Sequence, residues 1–295
     1  MALSGPPPPA APIDGAMSPV GAPSLSVGIV VYHSDLSILS TTLASLAASV
    51  ARAREDGVLG EVSVTLVENG SADQAALDRA VAAALPPDRG IAVATVRGHG
   101  NVGYGRGHNL AIGPSAMTYH LILNPDAILE PAALSEAVRF LEANADVGML
   151  APDVHGSAGE RQYLCRRYPS VLVLLLRGFA PPWIKRRFRG LLERYELRDC
   201  MDAEVVRDVP IASGCFMFAR RTALKAVGGF APAYFLYFED YDLSMRLRRY
   251  SEIAYVSRVR IVHHGGDAAK KGGPHLRLFL ASGLRFFRTH GWKIA

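Results

Sequence analysis

The stretch Tyr119-His120-Leu121-Ile122-Leu123-Asn124-Pro125-Asp126 decides the fold class. Five mostly apolar residues stop abruptly at a polar, proline-stiffened tripeptide. A short run of this kind, bounded by a turn signal, reads as a buried strand. It is the fourth in series. Residues 25–31 (LSVGIVV), 61–67 (EVSVTLV) and 91–96 read as strands before it. Helical patterns separate them: 36–54, where Leu39, Leu43, Leu46 and Val50 share a face, and the Ala-rich 74–85. A Gly-rich loop at 98–107 leads into a short helix that starts near Gly107, and Pro131 occupies the first turn of a helix ending about Ala143. Strand–helix alternation of this kind predicts an α/β fold, a mostly parallel sheet with helices on both faces. Such sheets bind ligands beyond the carboxyl ends of their strands. The polar segments 68–73, 98–107 and 124–126 all come directly after strands, so they are expected along one edge.

The second half is less regular. Residues 205–218 read as strand, and Phe238-Glu239-Asp240-Tyr241-Asp242 opens a helix. Residues 253–256 and 259–263 read as short strands, and 275–290 as a final helix. The 295 residues suffice for one large domain or two modest ones. Residues 1–24, rich in Pro, Ala and Gly, read as a disordered leader, with neither the charged nor the apolar region of a secretory signal. No run of 18 apolar residues predicts a spanning helix. Three scattered Cys (Cys165, Cys200, Cys215) give no disulfide framework or metal knuckle and read as reduced thiols.

Charge is divided unevenly. The net charge is +5, yet residues 161–200 hold ten Lys/Arg against three Asp/Glu, and 258–295 hold eight against one. An acidic body thus carries two basic segments, each net +7. This points to local attraction for something anionic rather than to a nucleic-acid coat, and no nucleic-acid reading motif is present.

Three constellations carry chemistry. Asp126, just past a buried strand, is placed to hold a hard cation, though Asn-Pro-Asp is equally a plain turn. Glu239 and Asp240, behind the aromatic run 234–238, combine like charge with an apolar wall; both raise a pKa, as a general base requires. The plainer reading is acidic capping of a helix, which can be all that Asp242 does. His263 or His264, before Gly265 and Gly266, could ligate a metal or simply lie at the surface. Gly98-x-Gly100-x-x-Gly103 fits a dinucleotide fingerprint, but it comes after the third strand and lacks the acidic ribose partner, which disfavours nicotinamide.

Taken together, the set resembles glycosyltransferase family 2, with the A-type (GT-A) nucleotide-sugar fold. It is most similar to the rhamnosyltransferase-like branch that builds bacterial cell-surface polysaccharides. The pieces occur in family order over most of residues 25–290: 27–32, Glu68-Asn69-Gly70-Ser71-x-Asp73, Asn101-x-Gly103 to Asn109, Leu123-Asn124-Pro125-Asp126, Ser213-Gly214, Gly228-Gly229-Phe230, Tyr237 to Leu243, and His263-x-Gly265-Gly266. Two features depart from the usual pattern: Glu68 where Asp is usual, and His33 where Asn is frequent.

The resemblance implies a metal-dependent inverting transfer. Asp126 would bind Mg²⁺ or Mn²⁺ with His263 (or His264), and Asp240, beside Glu239, would deprotonate the acceptor. Tyr32, Glu68, Asn69, Asn101, Gly103, Asn109, Asn124, Asp126 and Gly214 would contact the donor, a dTDP- or UDP-sugar and by the branch dTDP-rhamnose. The acceptor would be a glycan or lipid-linked saccharide. Residues 25–295 would form one GT-A domain, with a Rossmann-like nucleotide-sugar half (25–150) and an acceptor half (151–295). The protein would be cytoplasmic, or peripheral at the inner face of the membrane. The basic segment 172–198 would be either a lid with a solvated face or a surface for anionic lipid. The alternative function is a non-catalytic sugar-nucleotide or glycan-binding protein that keeps the fold.

Overall fold

The computed structural model describes residues 21–71, 73–265 and 273–295. The expected leader falls almost wholly outside the described residues, as does Gly266. The first half runs β1 (Leu25–Tyr32), α1 (Leu36–Glu55), β2 (Val62–Gly70), α2 (Gln74–Ala84), β3 (Ile91–Val96), α3 (Tyr104–Ile112) and β4 (Tyr119–Leu123). Then come β5 (Ala127–Leu129), α4 (Ala133–Ala143), β6 (Val147–His155), β7 (Arg161–Gln162), α5 (Val171–Phe179), α6 (Pro182–Arg187) and α7 (Arg189–Tyr195). The chain ends with β8 (Val205–Val206), β9 (Phe216–Arg220), α8 (Arg221–Val227), α9 (Glu239–Leu247), β10 (Glu252–His263) and α10 (Gly273–His290).

One sheet joins both halves in the order β3-β2-β1-β4-β9-β6-β10-β5, with β7 beside β6 and β8 beside β10. Strands β1–β4 pair in parallel, as do β6 and β10. β9 runs against both β4 and β6, and β5 against β10. Side-chain alternation feeds two cores: Leu121 and Leu123 of β4 meet Leu39, Leu43 and Leu46 of α1 and Leu134 of α4, while Ile122 meets Ile112, Leu224 and Leu243 from α3, α8 and α9. Helices therefore cover both faces. Each such fully buried Leu contributes roughly 1.5–3 kcal/mol.

α1 begins where the Asp35 carboxylate accepts hydrogen bonds from the Ser37 and Ile38 N–H groups, at 2.8 and 3.3 Å. Its length and composition would let it cross a membrane, but its apolar stripe is buried against the sheet.

Several boundaries differ from expectation. α3 starts at Tyr104 rather than near Gly107, because Gly105 and Gly107 let it lie directly against Phe230 and Val30. Residues 205–218 are not one strand: β8 and β9 flank a loop containing Pro210 and Gly214. The two strands expected over 253–263 are one, β10, with a register shift between Val256 and Arg260. Pro131 precedes α4, whose cap is Ala132.

Candidate active site

Two pairings assemble the site. Leu123 lies opposite Phe216, so the residues just after β4 meet those just before β9. Ala127 lies opposite His263, which sets Asp126 against the end of β10.

At the first corner, His263 Nε2 lies 3.4 Å from Asp126 Oδ1 and 3.4 Å from Asn124 Nδ2. Gln162 fixes the ring. Its Nε2 donates to the His263 carbonyl at 3.0 Å, which leaves its Oε1 facing His263 Nδ1 at 3.2 Å. An amide oxygen only accepts, so Nδ1 carries a proton; in the neutral ring Nε2 is the bare nitrogen. His264 is exposed, and its backbone N–H donates to the Asp126 carbonyl at 3.1 Å. Asp126 Oδ1 is buried and accepts no hydrogen bond. A Cβ on Gly265 would stand 2.8 Å from His263 Nε2 and 2.9 Å from Asp126 Oδ2, crowding both. Burial opposes the Asp126 charge, but the His263 ring, when it carries its second proton, and the charge of His264 outweigh it and hold the carboxyl below its usual range. An orphaned carboxylate oxygen beside an imidazole nitrogen that can exchange its proton for a metal ion fits a divalent cation. Among the described residues no third His, Cys, Asp or Glu completes the set.

The second corner opens α9. Tyr237 and Phe238 are both left-handed, at φ 68° and 62°. Such backbone costs about 1–2 kcal/mol per residue and collects at functional sites. Packing offsets it: the buried Phe238 ring lies 5.1 Å from Tyr241 and 5.5 Å from Phe286. The kink sets Glu239 and Asp240 in the first turn of α9. Glu239 is 5% exposed, and its Oε2 has no hydrogen-bond partner. Asp240 is half-buried; its Oδ2 accepts from the Gly214 N–H at 3.0 Å and its Oδ1 from the Tyr241 N–H at 2.9 Å. Burial, then repulsion by Asp240, pushes Glu239 up. Burial also pushes Asp240 up, and the Gly214 and Tyr241 N–H groups and Arg166 offset only part of it. The pair therefore keeps a proton above the ordinary carboxylate range.

Asp242 has another role. It takes Arg246 Nε at 2.7 Å and His290 Nε2 at 2.9 Å, which hold it below its usual range against burial. Arg246 also bonds the Val227 and Gly229 carbonyls, so Asp242 ties α9 to α10 and to the turn after α8.

Tyr104 links the two corners. Its hydroxyl is 2.6 Å from the Gly214 carbonyl and 3.0 Å from Asn124 Oδ1. Gly103 permits this approach: it sits at φ 86°, and a Cβ there would be 2.2 Å from the Phe235 carbonyl oxygen, which accepts the Tyr104 N–H at 3.1 Å. Asn69 Nδ2 donates to the Gly103 carbonyl at 2.9 Å, and the Gly103 N–H donates to Asn101 Oδ1 at 2.9 Å.

In front lies a cleft of about 850 Å³. Of the residues selected from the sequence, Tyr32, Asn69, Asn101, Gly103, Asn124 and Asp126 line it. Glu68 lies behind, buried and hydrogen-bonded by Gln74 Nε2 at 3.2 Å. Asn109 has both amide atoms on the Phe230 backbone, at 2.8 and 2.9 Å, and so clamps the Gly229-Phe230 turn. Gly214, Glu239 and Asp240 do not line the cleft; Gly214 and Asp240 are linked to its lining residue Tyr104, whose hydroxyl bonds the Gly214 carbonyl while the Gly214 N–H bonds Asp240. Sequence reasoning missed Tyr104, Phe235, His275 and Leu278 in the lining, and Gln162 behind His263. Tyr104 lies inside the Gly-rich loop that the sequence singles out; Gln162 sits on a two-residue strand with no periodic signal.

Residues 23–271 match the family described as glycosyltransferase-like family 2. The chain belongs to that family. It is a glycosyltransferase. It is similar to N-acetylglucosaminyl-diphospho-decaprenol L-rhamnosyltransferase of Mycobacterium tuberculosis, strains CDC 1551 / Oshkosh and ATCC 25618 / H37Rv. Identity is 28% over 260 residues, covering 78% of this chain and 76% of the relative. Its fold is similar to that of the mannosyltransferase PcManGT from Pyrobaculum calidifontis, solved in complex with GDP-Man and Mn²⁺. That match has a TM-score of 0.57 at 17% identity, covering 93% of this chain and 68% of that one. TarS 1–349 of S. aureus in complex with UDP gives a TM-score of 0.53 at 16% identity, covering 88% and 65%. The mixed sheet with helices around it is thus the GT-A fold of these glycosyltransferases.

Proposed function

We propose that residues 25–295 act as one catalytic domain, a metal-dependent inverting transferase. It moves a hexose from a nucleoside-diphosphate sugar, dTDP-rhamnose by the likeness to the mycobacterial relatives, to a glycan or lipid-linked saccharide in cell-wall polysaccharide synthesis. The work is done on the cytoplasmic side of the membrane. The observation that carries this reading is the pair of corners joined by Tyr104: a carboxylate held ionised beside the His263 imidazole on one side, a proton-holding carboxylate pair on the other.

The residues divide the labour. Asn69, Asn101 and Tyr32 bind and orient the donor in the cleft. Asp126 and His263 would hold Mg²⁺ or Mn²⁺, which neutralises charge on the departing diphosphate. Asp240 takes the proton from the acceptor hydroxyl, on the face opposite the leaving group. Its raised pKa brings it closer to that of a working base at neutral pH. Glu239, buried and repelled by Asp240, sustains the rise. Gly214 aims Asp240 through its N–H.

The test is a panel of sugar nucleotides read by released nucleoside diphosphate, with and without Mn²⁺. Release from dTDP-rhamnose only with metal and acceptor is expected. Donor binding with no release from any sugar nucleotide would overturn the transfer reading in favour of a binding module.

A further inference from the structure

We propose that the outer face formed by α5, α6, α10 and residues 291–295 docks on a bilayer surface that contains anionic lipid. Large apolar side chains are bare there: Trp183 is 65% exposed, Ile294 67%, Phe179 57%, Leu280 55% and Trp292 55%. Single exposed apolar residues are ordinary, whereas contiguous patches mark interaction surfaces. Those of α5, α10 and residues 291–295 are contiguous, and α6 joins them through Lys185 Nζ, which donates to the Arg177 carbonyl of α5 at 2.9 Å. The Val171 and Leu172 N–H groups donate to the Lys293 and Ile294 carbonyls at 2.8 and 3.0 Å, which binds the start of α5 to the carboxyl-terminal residues. Trp292 stacks on Phe287 of α10 with ring centroids 5.2 Å apart. Val171 and Leu174 of α5 pack with Phe279 and Phe286 of α10. On the exposed sides, Leu175 and Phe179 recur at one-turn spacing along α5, and Leu276, Leu280 and Leu284 along α10.

Charge selects the occupant. Residues 171–192 and 268–295 contain no Asp or Glu. Arg177 and Arg189, the partnered arginines, reach outside to Glu196 and Glu193. Arg186, Arg187, Arg277, Arg285 and Arg288 are exposed and, among the described residues, have no carboxylate partner. Arg277 and Arg288 stand one turn from Leu280 and Leu284, so cations flank the apolar stripe. Apolar stripes with cationic flanks fit the boundary between anionic headgroups and acyl chains. A second copy of this chain would bring like charge against like. The docking face also adjoins the cleft, because α10 contributes His275 and Leu278 to the lining. A lipid-linked acceptor would thus be met where it emerges.

The sequence supplies its own probe. Its two tryptophans are Trp183 and Trp292, both on this face. The full chain is mixed with brominated phosphatidylcholine vesicles, with and without phosphatidylglycerol, with no donor present; the result is therefore independent of the transfer reading. Tryptophan emission should be quenched by the anionic vesicles, and less so as salt is raised. Arg277→Ala and Arg288→Ala, both at exposed positions, should each weaken partitioning about fivefold. The pair Phe179→Glu and Leu280→Glu should abolish it while nucleotide binding persists. Unquenched emission with anionic vesicles, or equal quenching without phosphatidylglycerol, would overturn the proposal. So would a concentration-dependent dimer that shields both tryptophans, which would assign the face to a second copy.

Discussion

Two acidic corners of one site are held in opposite states. Asp126 and the Glu239–Asp240 pair both sit at polar junctions beside buried strands, and burial opposes the charge of each. What differs is the company. Asp126 lies 3.4 Å from the His263 imidazole, whose charge, with that of His264, holds it ionised. Glu239 faces its own neighbour's charge with an unpartnered oxygen, and is pushed up. Environments that drive two carboxyl groups apart assign their roles: the ionised one to a cation, the proton-holding one to acid–base work.

The comparison breaks most visibly at Asp240. Asp240→Asn should lower turnover about a thousandfold while donor binding survives, read by initial rates and nucleotide titration. Asp126→Asn should act on the other quantity, weakening Mn²⁺-dependent nucleotide binding by about a hundredfold, measured by calorimetry with and without the ion. Gln162→Leu leaves every acidic group in place but frees the His263 ring. It should weaken Mn²⁺ affinity by about tenfold, seen in the free-ion resonance signal.

The smallest effect is on stability, and its sign separates the corners. A carboxyl raised in the folded state binds more protons folded than unfolded. Its stability contribution is therefore complete below the unfolded value and lost as pH rises through the folded one. Glu239→Gln removes that loss and should stabilise the protein by about 1 kcal/mol at pH 8 in denaturant melts, with little change at pH 4. Asp126 runs the other way: its contribution is present above the ordinary carboxylate value and lost as pH falls.

The legible parts of this molecule are its local ones. β1 to β4, α1 and α2 announce themselves by apolar runs and helical spacing, and the acidic motifs by composition. What brings the motifs together is not local. β5 is three residues long, yet its pairing with β10 sets Asp126 against His263. β7 is two residues long and carries Gln162. Such strands are defined by their partners, not by their own periodicity. The loop inside 205–218 reads as strand because Ile211, Ala212 and Cys215 to Phe218 are apolar; Ile211 and Ala212 are buried by tertiary packing instead, while Gly214 turns its N–H to Asp240. The left-handed Tyr237 and Phe238 give no warning, since neither residue type favours that backbone.

The most direct test of the two-corner account is the protonated-carboxyl stretch in the infrared spectrum near neutral pH. The account predicts a band in the native protein that is lost in Glu239→Gln, titrates at lower pH in Asp240→Asn and is retained unchanged in Asp126→Asn. No such band, or a band that disappears with Asp126, would contradict it.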